Sequence, residues 1–246
     1  MTARRKSAPP PKEDFFSRLP VRTQHIIALV FLVILPVILF DAAVLGGEQV
    51  MGHDTIQWRA GAESVIDYRE QTGEEPLWAT NMFSGMPAYL ISSGKAVYNV
   101  DNLVKDLFDS ITPAAHYWIL LIGVYVFFIL QGIRPFSAAL GAVLIGFTAY
   151  IPIIIGAGHN TKFVAYSFMP WVLTGYWLMS RHKNWLAGFF VLAFTLTLEF
   201  RSNHPQVTYY FIYLLLFWWG FDTYRHHKNK ELNVWLKRTG WMAGAV

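Results

Sequence analysis

Six long apolar runs constrain this chain more than any other feature. They cover 26–47, 117–133, 136–156, 163–180, 185–198 and 207–221. The first has 22 residues and one charge, Asp41, and about 20 residues suffice to cross a bilayer. It exceeds the roughly 7–15 residues of a secretory signal core, and no small-residue cleavage site follows it. An uncleaved first span is expected. Only Arg134-Pro135 separates the second run from the third, which predicts a helical hairpin. Eight more apolar residues, 239–246, read as the start of a seventh span, so the sequence is expected to stop inside one. The expected fold is an all-α, polytopic transmembrane helix bundle over 23–246. A basic tail, 1–22, precedes it and is expected to be disordered, because Ala8-Pro9-Pro10-Pro11 cannot be helical.

Composition agrees. Charged residues are 15% of the chain, where soluble domains average about 25%. The absence of cysteine excludes a disulfide scaffold and a thiolate zinc site. The net charge of +4 invites a nucleic-acid reading, but the placement of the charges excludes it. The tail carries six bases against two acids, and 225–238 carries five against one. Arg134, and then Arg181 with Lys183, follow the second and fourth runs. The connection 48–115 is the opposite, with ten acids against four bases. The tail, Arg134, Arg181 with Lys183, and 225–238 all fall on one side, which puts the N-terminus in the cytoplasm. The expected partners are membrane lipids, with no nucleic acid. His226-His227 reads as part of a solvated basic flank for anionic lipid.

The outer face then consists of 48–115, 157–162 and 199–206, where most of the chemically capable residues lie. The first of these is long for a structureless connection. Leu103, Val104, Leu107, Phe108 and Ile111 fall at helical spacing, with Asn99 or Asp101 as cap, which predicts an amphipathic helix on the membrane surface. Residues 54–68 repeat the pattern more weakly. Trp58, Trp78 and Tyr89 fit interfacial anchoring or a surface on which a sugar stacks.

The fifth and sixth runs have 14 and 15 residues, roughly 21–23 Å of helix against about 30 Å of hydrocarbon. Either the bilayer thins there or 199–205 dips into it. Asn203 can cap a helix starting near Pro205, aiming free N–H groups outward beside Arg201 and His204. Such a corner suits an anion. Glu199 would hold Arg201 in position. Gly156-Ala157-Gly158-His159-Asn160-Thr161-Lys162 lacks the order of a nucleotide phosphate loop and faces away from the ATP pool; His159 and Lys162 could touch a lipid phosphate.

Four blocks carry a family resemblance. They are Gly52-His53-Asp54-Thr55-Ile56-Gln57; Pro76-Leu77-Trp78 with Phe83-Ser84-Gly85-Met86-Pro87; Gly158-His159-Asn160-Thr161-Lys162; and Arg201-Ser202-Asn203-His204-Pro205-Gln206. In this order they resemble the YfhO family of bacterial multi-pass membrane proteins, from about residue 25 to the end. The resemblance implies a GT-C-like glycosyltransferase with a large first extracytoplasmic loop, in the bacterial cytoplasmic membrane. It also implies a longer protein, of which this chain is the N-terminal module.

Such enzymes take a sugar from a polyprenyl-phosphate carrier and attach it to an extracytoplasmic acceptor glycan or protein. Asp54 is the position that matches the family's catalytic acid. The chemistry asks for a carboxylate base and for cationic donors to the departing phosphate. Asp54 is expected to be the base, with Arg201 and His204 as the main phosphate contacts and Lys162 or His159 assisting. Glu199, Asn203 and Gln57 are expected to support them. Asp41 is a rival carboxylate that could instead cap a helix. No particular cofactor is indicated. A divalent metal is compatible with Asp54 and the loop acids as oxygen ligands, although no spacing demands one. The alternatives are a transporter or flippase of a lipid-linked substrate, with spans five and six as its broken helices, and a non-catalytic membrane scaffold.

Overall fold

The computed structural model describes residues 18–48, 51–92, 113–181, 185–202 and 204–244. Within them the fold is all-α apart from one two-stranded sheet. The helices are α1 (Val21–Leu39), α2 (Asp41–Gly46), α3 (His53–Thr72), α4 (Ala114–Leu130), α5 (Pro135–Gly146), α6 (Tyr150–Ala157), α7 (Asn160–Arg181), α8 (Trp185–Arg201), α9 (Pro205–Lys228) and α10 (Leu232–Ala243). Strands β1 (Trp78–Ala79) and β2 (Met86–Pro87) pair antiparallel, with Trp78 opposite Pro87. The tail up to residue 17, the helix expected over 102–111 and Asn203 lie outside the described residues.

Local chemistry sets the helix ends. Pro135 and Pro205 open α5 and α9 in the first turn, where a missing N–H costs nothing. Gly47, Gly73 and Gly158 close α2, α3 and α6 in the left-handed conformation. The first apolar run divides at Phe40, four residues after Pro36, and Asp41 accepts the Ala42 N–H at 2.8 Å. Asp41 therefore serves the start of α2. The third run also divides: α5 and α6 are bent by 44° across Phe147–Ala149.

The helices of the last two runs extend beyond their apolar segments. The 24 residues of α9 reach about 36 Å, and the 17 of α8 about 26 Å. Length alone therefore demands no bilayer thinning at α9. Of the run expected to start a seventh span, 239–243 belong to α10, which opens at Leu232 inside the expected basic connection.

Two apolar clusters build the body. Leu32, Tyr117, Leu121, Ala142, Ile154 and Phe163 join α1, α4, α5 and α6 to the start of α7. Val172, Met179, Leu192, Phe211 and Trp235 join α7 to α8, α9 and α10. α7 and α8 pack most extensively. Gly175 and Gly188 permit this, since a Cβ on either would lie 2.5 Å from backbone nitrogen of the other helix, Leu192 and Met179 respectively.

Among the described residues, α1 is long and apolar enough to cross a membrane, and α5 with α6 passes as a bent pair. α4 is apolar but has 17 residues. α7 and α9 have the length, with tyrosine, tryptophan and hydroxyl residues spread along them.

Candidate functional site

Three of the four sequence blocks meet at one corner. α3 begins where α6 turns into α7, and the contact is backbone on backbone: a Cβ on Gly52 would lie 2.2 Å from the Gly158 nitrogen. Gly158 has φ +92°, and a side chain there would strike the Thr55 hydroxyl at 2.7 Å. Thr55 Oγ1 donates to the Gly158 carbonyl at 3.3 Å, and Asn160 Nδ2 donates to Thr55 Oγ1 at 3.4 Å.

This interlock fixes Asp54 in the first turn of α3, where the helix N-terminus favours a negative charge. His159 Nε2 lies 3.1 Å from Asp54 Oδ2, and His53 Nδ1 lies 3.7 Å from Oδ1. Asp54 stays half exposed, reachable by a substrate. Gln57 lies exposed on the next turn.

The α8–α9 corner supplies the other side. His204 precedes Pro205, and its Nδ1 lies 3.5 Å from Thr161 Oγ1. Burial, and then the charges of Lys162 and His159, push the His204 imidazole below its usual range. His204 is therefore a neutral ring at neutral pH, held beside Lys162 and His159. Arg201 is exposed in the last turn of α8, three residues before His204. Glu199 turns inward, fully buried, and accepts from Thr208 Oγ1 at 2.9 Å. Asp54, His159, Lys162, Thr161 and His204 are thus gathered from α3, α7 and the approach to α9. Among the described residues no group of three or more His, Asp or Glu is arranged to hold a metal.

The aromatic candidates sit beyond α3. Trp58 Nε1 donates to the Ile91 carbonyl at 2.7 Å. The Trp78 ring lies on Gly85, where a Cβ would approach Nε1 to 2.4 Å. Both therefore brace the hairpin while keeping an exposed face. Tyr89 is exposed. The hairpin turn places Phe83 and Ser84 at positive φ and presents the Phe83 ring outward.

A second polar cluster, absent from the sequence reading, lies at the opposite end of α9. Asp222 is fully buried. Its Oδ1 lies 3.3 Å from both Arg181 and Arg225, and Tyr176 donates to Oδ2 at 3.3 Å. The usable signal was a lone acid three residues before an arginine, at the edge of an aromatic run. His226 departs from the solvated flank expected of it. It is buried and stacks on Trp235, ring centroids 4.9 Å apart at 9°.

No family model matches the chain, and no curated protein and no solved structure matches it.

Proposed function

We propose that this chain is a membrane glycosyltransferase module of YfhO type. It moves a sugar from a polyprenyl-phosphate carrier to an extracytoplasmic acceptor, with Asp54 as base. The observation that carries the reading is the pairing of Asp54 with His159 in a corner shared with Lys162 and His204. His159 orients one carboxylate oxygen and leaves the other for the acceptor hydroxyl. The hydroxyl proton passes to Asp54 as the acceptor oxygen attacks the anomeric carbon. The bond from that carbon to phosphate breaks, and its electron pair stays on the phosphate oxygen. Lys162, Arg201 and His204 meet the resulting charge.

The membrane setting rests on two features. The tail and 225–238 are strongly basic, and 48–115 is strongly acidic. Large apolar side chains also face outward along whole helices: Ile26, Val30, Ile34 and Ile38 on α1, and Tyr210, Leu214, Phe217 and Phe221 on α9. Soluble monomers rarely expose such continuous patches. The reading is of a polytopic, GT-C-like bundle in the bacterial cytoplasmic membrane, N-terminus inside, with 48–115 outside.

The test is sugar release from a panel of labelled polyprenyl-phosphate sugars by the purified protein, beside Asp54→Asn. Turnover by the wild type alone supports the transferase and names the donor. The 44° break between α5 and α6 favours a second reading, a lipid-linked-substrate transporter with a discontinuous helix. Turnover by neither protein, with carrier crossing proteoliposome leaflets, would establish that one.

A further inference from the structure

The outer corner has a buried side that the transfer step leaves unused. Glu199 is fully buried, with Oε1 satisfied by Thr208 and Oε2 without a partner. Two more buried atoms nearby lack partners, Ser202 Oγ and His204 Nε2. Ser202 follows one turn after Glu199, its N–H donating to the Glu199 carbonyl at 3.1 Å. Thr208 links the other two residues: its hydroxyl holds Glu199, and its N–H reaches the His204 carbonyl at 3.4 Å. His204 turns Nδ1 toward Thr161, and its other nitrogen, Nε2, is buried without a partner.

No Lys, Arg or His among the described residues forms an ion pair with Glu199. A buried carboxylate without a cation is costly, and its acid form is far less so. Ser202 brings one O–H to the corner, and the acid form of Glu199 adds a second. Buried polar atoms of this kind are commonly satisfied by buried water.

We propose that Glu199 carries a proton inside this corner and delivers it, through Ser202 and a buried water, to His204. The proposal rests on reading the corner as the site of the departing phosphate. The Glu199 O–H bond breaks as an N–H bond forms at His204 Nε2. The Nδ1–H bond breaks, and that proton passes by way of Thr161 to the phosphate oxygen that has just left the sugar. The proton taken by Asp54 goes to outside water; another from outside water enters by Thr161 at His204 Nδ1 as the Nε2 proton returns to Glu199, which restores both groups so that no charge accumulates. Lys162 and His159, from the α7 corner, act on His204 through their charge, and His159 is itself paired with Asp54 of α3. Burial, and then these charges, oppose protonation of the imidazole until the proton arrives.

The experiment is infrared spectroscopy of the full chain in lipid nanodiscs at neutral pH, with a turnover assay beside it. A protonated-carboxyl C=O band should be present, vanish in Glu199→Gln, and shift in Thr208→Val, which removes one hydrogen bond without touching the carboxyl. The band is read whether or not the protein transfers sugar, so the proton site and the transferase reading fail separately. Absence of the band overturns the proposal. So does its loss on adding sodium or magnesium, which would make the corner a cation site. With a donor in hand, Glu199→Gln should lower kcat about 10²-fold and flatten the pH profile, leaving KM for the donor unchanged. Unchanged turnover with the band present overturns delivery to His204.

Discussion

Gly52 and Gly158 touch through their backbones, with no room for a methyl group: a Cβ on Gly52 would stand 2.2 Å from the Gly158 nitrogen and 2.4 Å from its Cα. Nothing flexible lies at that contact, so Gly52→Ala must displace α3 from the α6–α7 corner. Overpacking of this kind costs about 1–3 kcal/mol. Gly52→Ala is expected to lower the melting temperature and to reduce transfer as severely as Asp54→Asn. Gly46→Ala, whose Cβ would meet one side-chain atom at 3.9 Å, should do neither. Equal melting of the two variants would show that α3 is not anchored there.

His159 and Asp54 are both substantially exposed, and ion pairs in such positions contribute about 0–1 kcal/mol. The pair's role is therefore orientation. His159→Ala should leave the melting temperature within a degree or so of wild type while transfer falls by about 10²-fold. His159→Gln retains an amide donor and should recover part of the rate. A large loss of stability without loss of kcat would reverse this assignment.

His204 gives the site a pH dependence of definite sign. Its folded-state pKa lies below the ordinary 6.5 because burial and the Lys162 and His159 charges oppose protonation. The unfolded chain therefore binds more protons as pH falls below about 6.5. Stability is held above that value and declines as pH drops toward the folded-state pKa. Thermal melts of wild type and His204→Gln between pH 7.5 and 5 should diverge on the acid side, wild type losing more. Parallel curves would remove His204 as the titrating group.

The sequence made the helices legible but not their breaks. Apolar runs place α4, α7, α8 and α9 because burial and lipid both select long apolar segments. The break at Phe147–Ala149 lies in an unbroken apolar stretch, and hydropathy carries no signal for a bend that packing sets. At the corner, Asp54, His159, Lys162 and His204 could each be named from residue chemistry. Their convergence depends on two glycines in different blocks making one contact, which no spacing along the chain encodes. Glu199 was read as a partner for Arg201; its burial against Thr208 is a tertiary fact, set by how α9 packs on α8. Asp222 was missed for the opposite reason. It stands alone between the sixth apolar run and the basic segment 225–238, where nothing along the chain marks it as one of the most deeply buried side chains.

Asp222 supplies the last prediction. Its carboxylate holds Arg181 from the end of α7 and Arg225 from its own helix, with Tyr176 on the second oxygen. Removing it leaves two guanidinium groups facing one another beside a buried phenol. Breaking a buried pair costs about 3–5 kcal/mol, and the lower end applies because both arginines are about one-third exposed. Asp222→Ala should therefore melt well below wild type. Asp222→Asn keeps an acceptor for one arginine and should fall between them. Arg181→Met combined with Asp222→Ala should cost less than the two changes summed, since it relieves the repulsion. Seventeen residues of α9 separate Pro205 from Asp222, about 26 Å of helix. Transfer per folded molecule should therefore be unchanged in Asp222→Asn. A loss of kcat with the fold intact would couple the two ends of α9.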